Sequence, residues 1–159
     1  MKNFIKNQKG FTLVELVVVI AIIGILAGIA VPRFMEATAS ARGARIVADM
    51  RTIESAAVIY YAKNGEYPST NVTNQGTSGQ FTSGTNALLT AWPMPPVGRA
   101  YVTTNTGTSR EVNVASGVNY QYHFTAAAGD VPASYTITLG STNDLATLMT
   151  AGTALNITQ

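Results

Sequence analysis

The longest apolar run of the chain covers residues 11–31, and few polar side chains interrupt it. A helix of about 20 apolar residues is long enough to cross the hydrocarbon core of a bilayer. Pro32 follows the run, and its missing backbone donor is expected to kink or locally melt the preceding helical turn. Gly24 and Gly28 have the spacing that lets two helices approach closely, although glycine is also simply tolerated in membrane helices. The pattern predicts a membrane-spanning helix segment over residues 11–32.

Beyond the proline, the apolar period changes to that of an amphipathic helix. Apolar side chains recur at alternating steps of four and three residues: Ile46, Met50, Ile53, Ala57 and Tyr60. This stripe predicts a second helix half over residues 33–64, packed against the domain that follows. Val47, Val58 and Ile59 lie off the stripe, so the helix has apolar residues on more than one side. Either it packs on its own domain and on neighbouring chains, or one domain buries both of its sides.

The residues after this helix begin with loop-forming segments. Gly65 is expected to end the helix, because glycine readily adopts the left-handed conformation that follows a last turn. The stretch 68–86 is rich in Ser, Thr, Asn and Gly and is interpreted as a surface loop. Residues 87–89 fit one helical turn, capped by a polar residue before it. The proline-rich segment 92–96 cannot be a central strand.

Alternation of apolar and polar residues then predicts strands over 111–114, 120–125 and 135–139. Outward-facing polar positions are expected at Gln121, His123 and Thr125. Short connections favour an antiparallel arrangement laid on the amphipathic half of the helix. The predicted fold class is therefore α+β, with a long N-terminal helix packed on a small antiparallel sheet. Residues 145–149 fit either a short terminal helix or an edge strand.

A basic segment with Lys2, Lys6 and Lys9 precedes the apolar run. An ordinary secretory signal is cut after its apolar core, and residues 28–30 would supply that site here. Glu15 argues against this reading, because an ionisable group inside an apolar helix costs about 2.5 to 3.5 kcal/mol on insertion scales. A carboxyl in that position is expected to have a partner.

The sequence Gly-Phe-Thr-Leu-Val-Glu from Gly10 to Glu15 resembles the processing site of type IV prepilins and type II secretion pseudopilins. The resemblance covers residues 9–68, roughly the first two fifths of the chain. It implies that a membrane peptidase cleaves after Gly10 and methylates the new amino group of Phe11. It also implies that the Glu15 carboxylate pairs with that amino group on a neighbouring subunit, and that the helix breaks at Pro32 in assembled filaments.

With that cleavage, the chain divides into a leader (1–10), a membrane and filament-core segment (11–32), an amphipathic helix half (33–64) and a β-rich head (65–159). The implied function is that of a pilin, a structural subunit and not an enzyme, which polymerises into a helical type IV pilus. The implied partners are further copies, the prepilin peptidase and methylase, an inner-membrane assembly platform and its motor ATPase. The subunit is expected in the inner membrane before assembly and in the extracellular pilus afterwards.

Two alternatives remain open at this stage. A type II secretion pseudopilin would carry the same processing site and would build a periplasmic pseudopilus. A membrane-anchored exported domain would keep the apolar segment without polymerising, although such an anchor needs neither Gly10 nor Glu15.

Charge and cysteine content narrow the range of partners. The 159 residues include ten Lys and Arg against eight Asp and Glu, and the sequence pI is 9.0. Three of the basic residues lie in the predicted leader, so the rest of the chain is close to neutral and a nucleic-acid partner is not expected. The chain has no cysteine, and it therefore lacks the disulfide with which many pilins close a C-terminal loop.

The sequence predicts no catalytic, cofactor or metal site. His123 is the one histidine, and without a cysteine or a second histidine it is predicted to be a surface side chain. Residues 140–144 contain oxygen ligands, but their one carboxylate fits a helix N-cap better than a calcium site. Tyr60, Tyr61 and Tyr67 are interpreted as core packing at the helix–sheet junction, not as a ligand-stacking surface.

Overall fold

The computed structural model describes four stretches of the chain: residues 10–83, 87–103, 109–129 and 133–140. The first nine residues of the predicted leader lie outside these stretches. The predicted turn and the predicted terminal element beyond residue 140 also lie outside the described residues. So do the polar residues that were expected to cap residues 87–89. Contacts divide the chain into two compact units, residues 1–37 and 38–159.

Helix α1 (Leu13–Asn64) is 52 residues long and contains Pro32. The two predicted helix halves are one element, because the helical assignment is continuous through the proline. The break at Pro32 is absent from the isolated chain, and its formation during assembly stays a prediction. Gly65 follows the last turn with a φ of 76°, and its N–H donates a 2.8 Å hydrogen bond to the Tyr61 carbonyl. This geometry confirms the predicted helix end.

In the second unit, one face of α1 forms the base of the hydrophobic core. Its buried residues are Ala39, Gly43, Ile46, Met50, Ile53, Ala56 and Ala57. The predicted stripe is thereby confirmed. A Cβ atom at Gly43 would overlap the Tyr101 carbonyl oxygen, so glycine is needed where the helix and strand backbones meet. Val58 and Ile59 remain 41% and 47% exposed, so burial of both helix sides within one domain is wrong for these positions.

The described residues of this unit form four strands: β1 (Gly98–Thr103), β2 (Ser109–Val114), β3 (Tyr120–Thr125) and β4 (Ser134–Leu139). They form two antiparallel pairs, β1 with β2 and β3 with β4. The three predicted strands are confirmed, and so is the α+β class. Strand β1 was not predicted, because its buried apolar residues are only the small Ala100 and Val102. The strand also follows directly after a proline-rich segment, which weakens the strand signal in the sequence.

The register of β3 and β4 explains how these strands build the core. Tyr120 lies opposite Leu139, Tyr122 opposite Ile137, and Phe124 opposite Tyr135. Apart from the half-buried Phe124, these side chains are fully buried. The expected outward position of Gln121 is wrong, because only 8% of this residue is exposed. Its Oε1 atom lies 3.0 Å from Nε2 of the half-buried His123, which gives the amide a polar partner.

The segment interpreted as a surface loop contributes to the core, which corrects the sequence prediction. Val72 pairs with Tyr122 as an isolated bridge, and Phe81 in the short helix α2 (Gly79–Thr82) is fully buried. Residues 87–89 do not form the predicted helical turn. The N–H groups of Leu88 and Leu89 instead both donate 2.9 Å hydrogen bonds to the Phe81 carbonyl, which ties the segment to α2.

A row of aromatic rings runs through the core. Its successive members are Tyr61, Tyr67, Tyr135, Tyr122, Phe81 and Trp92, with ring centroids 4.7 to 5.6 Å apart. The contact of Tyr67 with Tyr135 confirms core packing at the helix–sheet junction, whereas Tyr61 stays 47% exposed at the outer end.

Polar contacts join helix α1 to this core. The Tyr120 hydroxyl donates a 2.9 Å hydrogen bond to Asp49 of α1. The Trp92 indole N–H donates to the Tyr120 carbonyl at 3.0 Å. Helix, strand β3 and the proline-rich segment are therefore connected through one tyrosine.

The buried tyrosines predict that the fold loses stability at high pH. Burial raises the pKa of Tyr135 to about 12 and raises the pKa values of Tyr120 and Tyr122 further above their usual 10. The folded chain therefore keeps protons that the unfolded chain releases. Their contribution to the free energy of unfolding is fully present below about pH 10. Above that pH it falls by up to about 1.4 kcal/mol per pH unit for each tyrosine, until the pH passes the pKa of that tyrosine in the folded chain, which is about 12 for Tyr135.

Denaturant unfolding of the detergent-solubilised protein from pH 8 to 12, followed by Trp92 fluorescence, measures this loss. Tyr135→Phe should reduce the slope of unfolding free energy against pH relative to the unmodified protein. Titration of all tyrosines near pH 10 with the fold intact would contradict the prediction.

Candidate assembly site at the start of the long helix

The first unit has an apolar surface that no other described residue covers. Every residue from 10 to 37 is exposed. Leu13, Ile20 and Ile25, for example, are 77%, 65% and 66% exposed. Among the described residues, α1 is the one helix whose length and composition would allow it to cross a membrane. Such a surface needs lipid or other apolar partners, because its exposure to water is unfavourable.

Glu15 lies in the first turn of α1, where its carboxylate is held by Thr12. The backbone N–H and the hydroxyl of Thr12 donate hydrogen bonds to Oε2 of Glu15, at 2.9 and 2.8 Å. The backbone N–H of Glu15 lies 3.2 Å from the Thr12 hydroxyl oxygen, to which it donates in return. This reciprocal pattern is a capping box, which satisfies backbone donors that have no partner at a helix start.

Sequence reasoning missed this partner of Glu15. It assigned the carboxylate to a neighbouring subunit, whereas the structure gives it a contact within the chain. The spacing Thr-x-x-Glu before an apolar run is a known capping signal and was sufficient to predict the contact. Only Oε2 is engaged; among the described residues, Oε1 accepts no hydrogen bond. The carboxylate is therefore oriented by its own helix with one oxygen left for another donor.

The predicted cleavage junction lies just before the helix. Gly10 and Phe11 are not helical, and α1 begins at Leu13. Phe11 is 79% exposed, and Gly10 has open space around its Cα. The peptide bond between these two residues is thus accessible and irregular, as a protease substrate must be. The structure brings Thr12 and Glu15 together, while Pro32 lies several turns further along α1 and takes no part in the cap.

Among the described residues, no three His, Cys, Asp or Glu side chains gather into a group that could hold a metal ion. His123 contacts Gln121, as a hydrogen-bonded surface histidine does.

Comparison with known proteins supports the reading of this segment. Residues 5–31 match the family model described as the prokaryotic N-terminal methylation motif. The chain is 38% identical over 96 residues to the type II secretion system core protein G of Klebsiella michiganensis, covering 60% of each protein. It is 47% identical over 64 residues to a fimbrial protein of Neisseria meningitidis serogroup A, covering 40% of this chain and 38% of that protein.

A fimbrial protein of Pseudomonas aeruginosa is 50% identical over 52 residues, which cover 33% of this chain and 34% of that protein. The matches span from about a third to three fifths of the length of these relatives. No solved structure matches the chain. The methylation motif, the α+β fold with its long N-terminal helix, and the similarity to fimbrial and core G proteins place the chain in the family of type IV pilins and type II secretion pseudopilins.

Proposed function

We propose that this chain is a pilin, a non-enzymatic subunit that polymerises into a type IV pilus after cleavage behind Gly10 and methylation of Phe11. One observation carries the proposal: the apolar side chains of the first unit are all exposed, and the segment also contains the Glu15 carboxylate, which Thr12 holds in a fixed orientation. An anchor would need the apolar surface alone. A polymer needs the carboxylate as well, because a charge at a fixed depth selects one register among many helix packings.

Cleavage supplies the group that this carboxylate lacks. Removal of residues 1–10 converts the Phe11 amide into an ammonium. Oε1 of Glu15 then accepts a hydrogen bond from the ammonium of a neighbouring copy, while Oε2 stays on Thr12. Packing of apolar helices gains little over contact with lipid, so the charge pair determines where an incoming copy docks.

Assembly moves α1 from the inner membrane into the centre of an extracellular filament. The prepilin peptidase and methylase act first, and an inner-membrane platform with a motor ATPase then drives addition of copies. Pro32 lacks a backbone donor, so the helix opens there at low cost when neighbouring helices require a bend.

A type II secretion pseudopilin is the second candidate, and one observation favours it. Similarity to core protein G reaches 96 residues, beyond the 64 residues matched in the fimbrial protein. A periplasmic pseudopilus would use the same cleavage and the same charge pair. Cell fractionation separates the two: a pilin is recovered in fibres sheared from the cell surface, and a pseudopilin stays in the periplasmic and inner-membrane fractions.

Processing provides a first test. Intact-mass measurement of the protein from its native host should give a chain that starts at methylated Phe11. Gly10→Val should leave an uncleaved precursor in the membrane, because a branched side chain would crowd the scissile bond, while Gly28→Ala should be processed normally. A mature chain starting near Val31 would instead identify an ordinary secretory signal.

A second test separates the charge of Glu15 from its capping role. Glu15→Gln keeps a side chain that can complete a capping box but removes the charge. Thr12→Val removes the capping hydroxyl, at a cost of about 1 kcal/mol in helix stability, and keeps the charge. We expect Glu15→Gln and Glu15→Leu to be processed normally, to lose at least nine tenths of the filament yield, and to accumulate as mature monomer in the membrane.

Thr12→Val should retain a substantial part of the filament yield, and Thr12→Ser nearly all of it. Yield is measured by immunoblotting sheared fibres against total mature protein. Normal fibres from Glu15→Gln together with none from Thr12→Val would show that the carboxylate matters only as a cap.

A further inference from the structure

Asn64 and Gly65, at the end of α1, form the one Asn-Gly pair in the chain. In such a pair the backbone nitrogen of glycine can attack the side-chain carbonyl carbon of asparagine and expel the amide as ammonia. Glycine favours this attack, because it has no Cβ to hinder the approach of its nitrogen. Both residues are exposed, and the space beside the Gly65 Cα is open. Water therefore reaches the pair in the folded chain.

The helical turn before this pair holds both of its reacting groups. The Gly65 N–H donates a 2.8 Å hydrogen bond to the Tyr61 carbonyl. The Asn64 side chain donates a 2.9 Å hydrogen bond from Nδ2 to the Tyr60 carbonyl. Ring closure requires the Asn64 backbone to leave the helical conformation and its side chain to turn toward Gly65, so both hydrogen bonds must break. The closed helix end thus opposes the reaction.

Contacts on both sides of the pair keep this turn closed. Tyr61 precedes the pair and Tyr67 follows it, and their rings pack with centroids 4.7 Å apart. Tyr67 also contacts the ring of the buried Tyr135, and Pro68 is fully buried. The chain is therefore anchored before and after Gly65. Opening of the last turn disturbs the contact of Tyr61 with Tyr67 as well as the two hydrogen bonds.

We propose that Asn64 is a site of spontaneous deamidation whose rate is set by opening of the last turn of α1. In the open form, the Gly65 nitrogen loses its proton to solvent base and bonds to Cγ of Asn64, while Nδ2 leaves as ammonia. Water then hydrolyses the cyclic imide, which leaves isoaspartate or aspartate at position 64. Helix ends open more often than whole domains unfold, so the folded protein reacts in proportion to the fraction of open turns.

The product weakens the turn that restrained the reaction. A carboxylate at position 64 replaces the donor to the Tyr60 carbonyl with an acceptor, so attraction becomes repulsion. Its negative charge lies at the C-terminal end of a helix, where the helix dipole disfavours anions, and Glu66 is two positions away. Isoaspartate also adds a methylene group to the backbone. Deamidation is therefore an irreversible change that loosens the end of α1.

Incubation of the full detergent-solubilised chain at pH 8, followed by peptide mapping with mass detection, measures the reaction at each asparagine. The same chain unfolded in guanidinium chloride gives the rate of the open form. We expect Asn64 to react at least tenfold more slowly in the folded chain than in the unfolded chain. It should still react faster than Asn71, which is also exposed but precedes Val72. Equal rates at Asn64 in folded and unfolded chains would overturn control by the helix end, and an unfolded chain that keeps its Asn64 amide would overturn the site itself.

Two matched variants separate opening of the last turn from weakening of the helix in general. Ala48 and Ala62 are both exposed on α1, but only Ala62 lies in its last turn. Glycine is less favourable than alanine inside a helix. Ala62→Gly should therefore raise the rate at Asn64 two- to fivefold in the folded chain, while Ala48→Gly should leave it unchanged. Neither variant should alter the rate in the unfolded chain. Equal acceleration by both variants, or none by Ala62→Gly, would overturn the proposal.

Asn64→Asp, with Asn64→Gln as its control, measures the effect of the product. The aspartate variant should increase hydrogen exchange at the Gly65 amide at least threefold relative to the glutamine variant, which keeps a neutral amide donor. Equal exchange in the two variants would contradict the proposed loosening of the turn.

Discussion

The central constraint on this molecule is the apolar surface of residues 11–37, every residue of which is exposed in the isolated chain. About 25 cal/mol of unfavourable free energy accompanies each Å² of apolar surface left in water, so this segment always has an apolar environment. In the proposed assembly, lipid provides this environment before polymerisation and neighbouring helices provide it afterwards. Because the two environments are similarly apolar, the transfer between them is nearly balanced and small polar interactions set its direction.

In the proposed assembly, Glu15 is the polar group on which that balance depends. The capping box with Thr12 gives one carboxylate oxygen two donors, which lowers the cost of keeping the group at the start of an apolar helix. It also fixes where the second oxygen lies. A single residue can in this way be tolerated in the membrane-bound monomer and still direct docking in the polymer.

Periodicity in the sequence was enough to predict the elements that have a regular pattern. The helix stripe around Met50 and Ile53, the glycine at 65 and the strand 120–125 all follow from local rules. The burial of Val72 and Phe81 did not, because each is an isolated apolar residue in a polar segment and acquires its place only through contact with β3 and the aromatic row.

Other features depend on contacts that no single-residue pattern encodes. The close approach at Gly43 requires knowledge of β1, whose small residues gave a weak signal. The hydrogen bonds from Thr12 to Glu15 could have been predicted from the Thr-x-x-Glu spacing. They were missed because the carboxylate was assigned to a partner in another subunit.

The most direct measurement of the account is a helical reconstruction of purified filaments at a resolution that shows side chains. It should place the methylated amino nitrogen of Phe11 within about 4 Å of the Glu15 carboxylate of a neighbouring copy, with Thr12 still on the other oxygen. A filament in which that carboxylate contacts only its own Thr12, with no amino group of another copy within that distance, would contradict it.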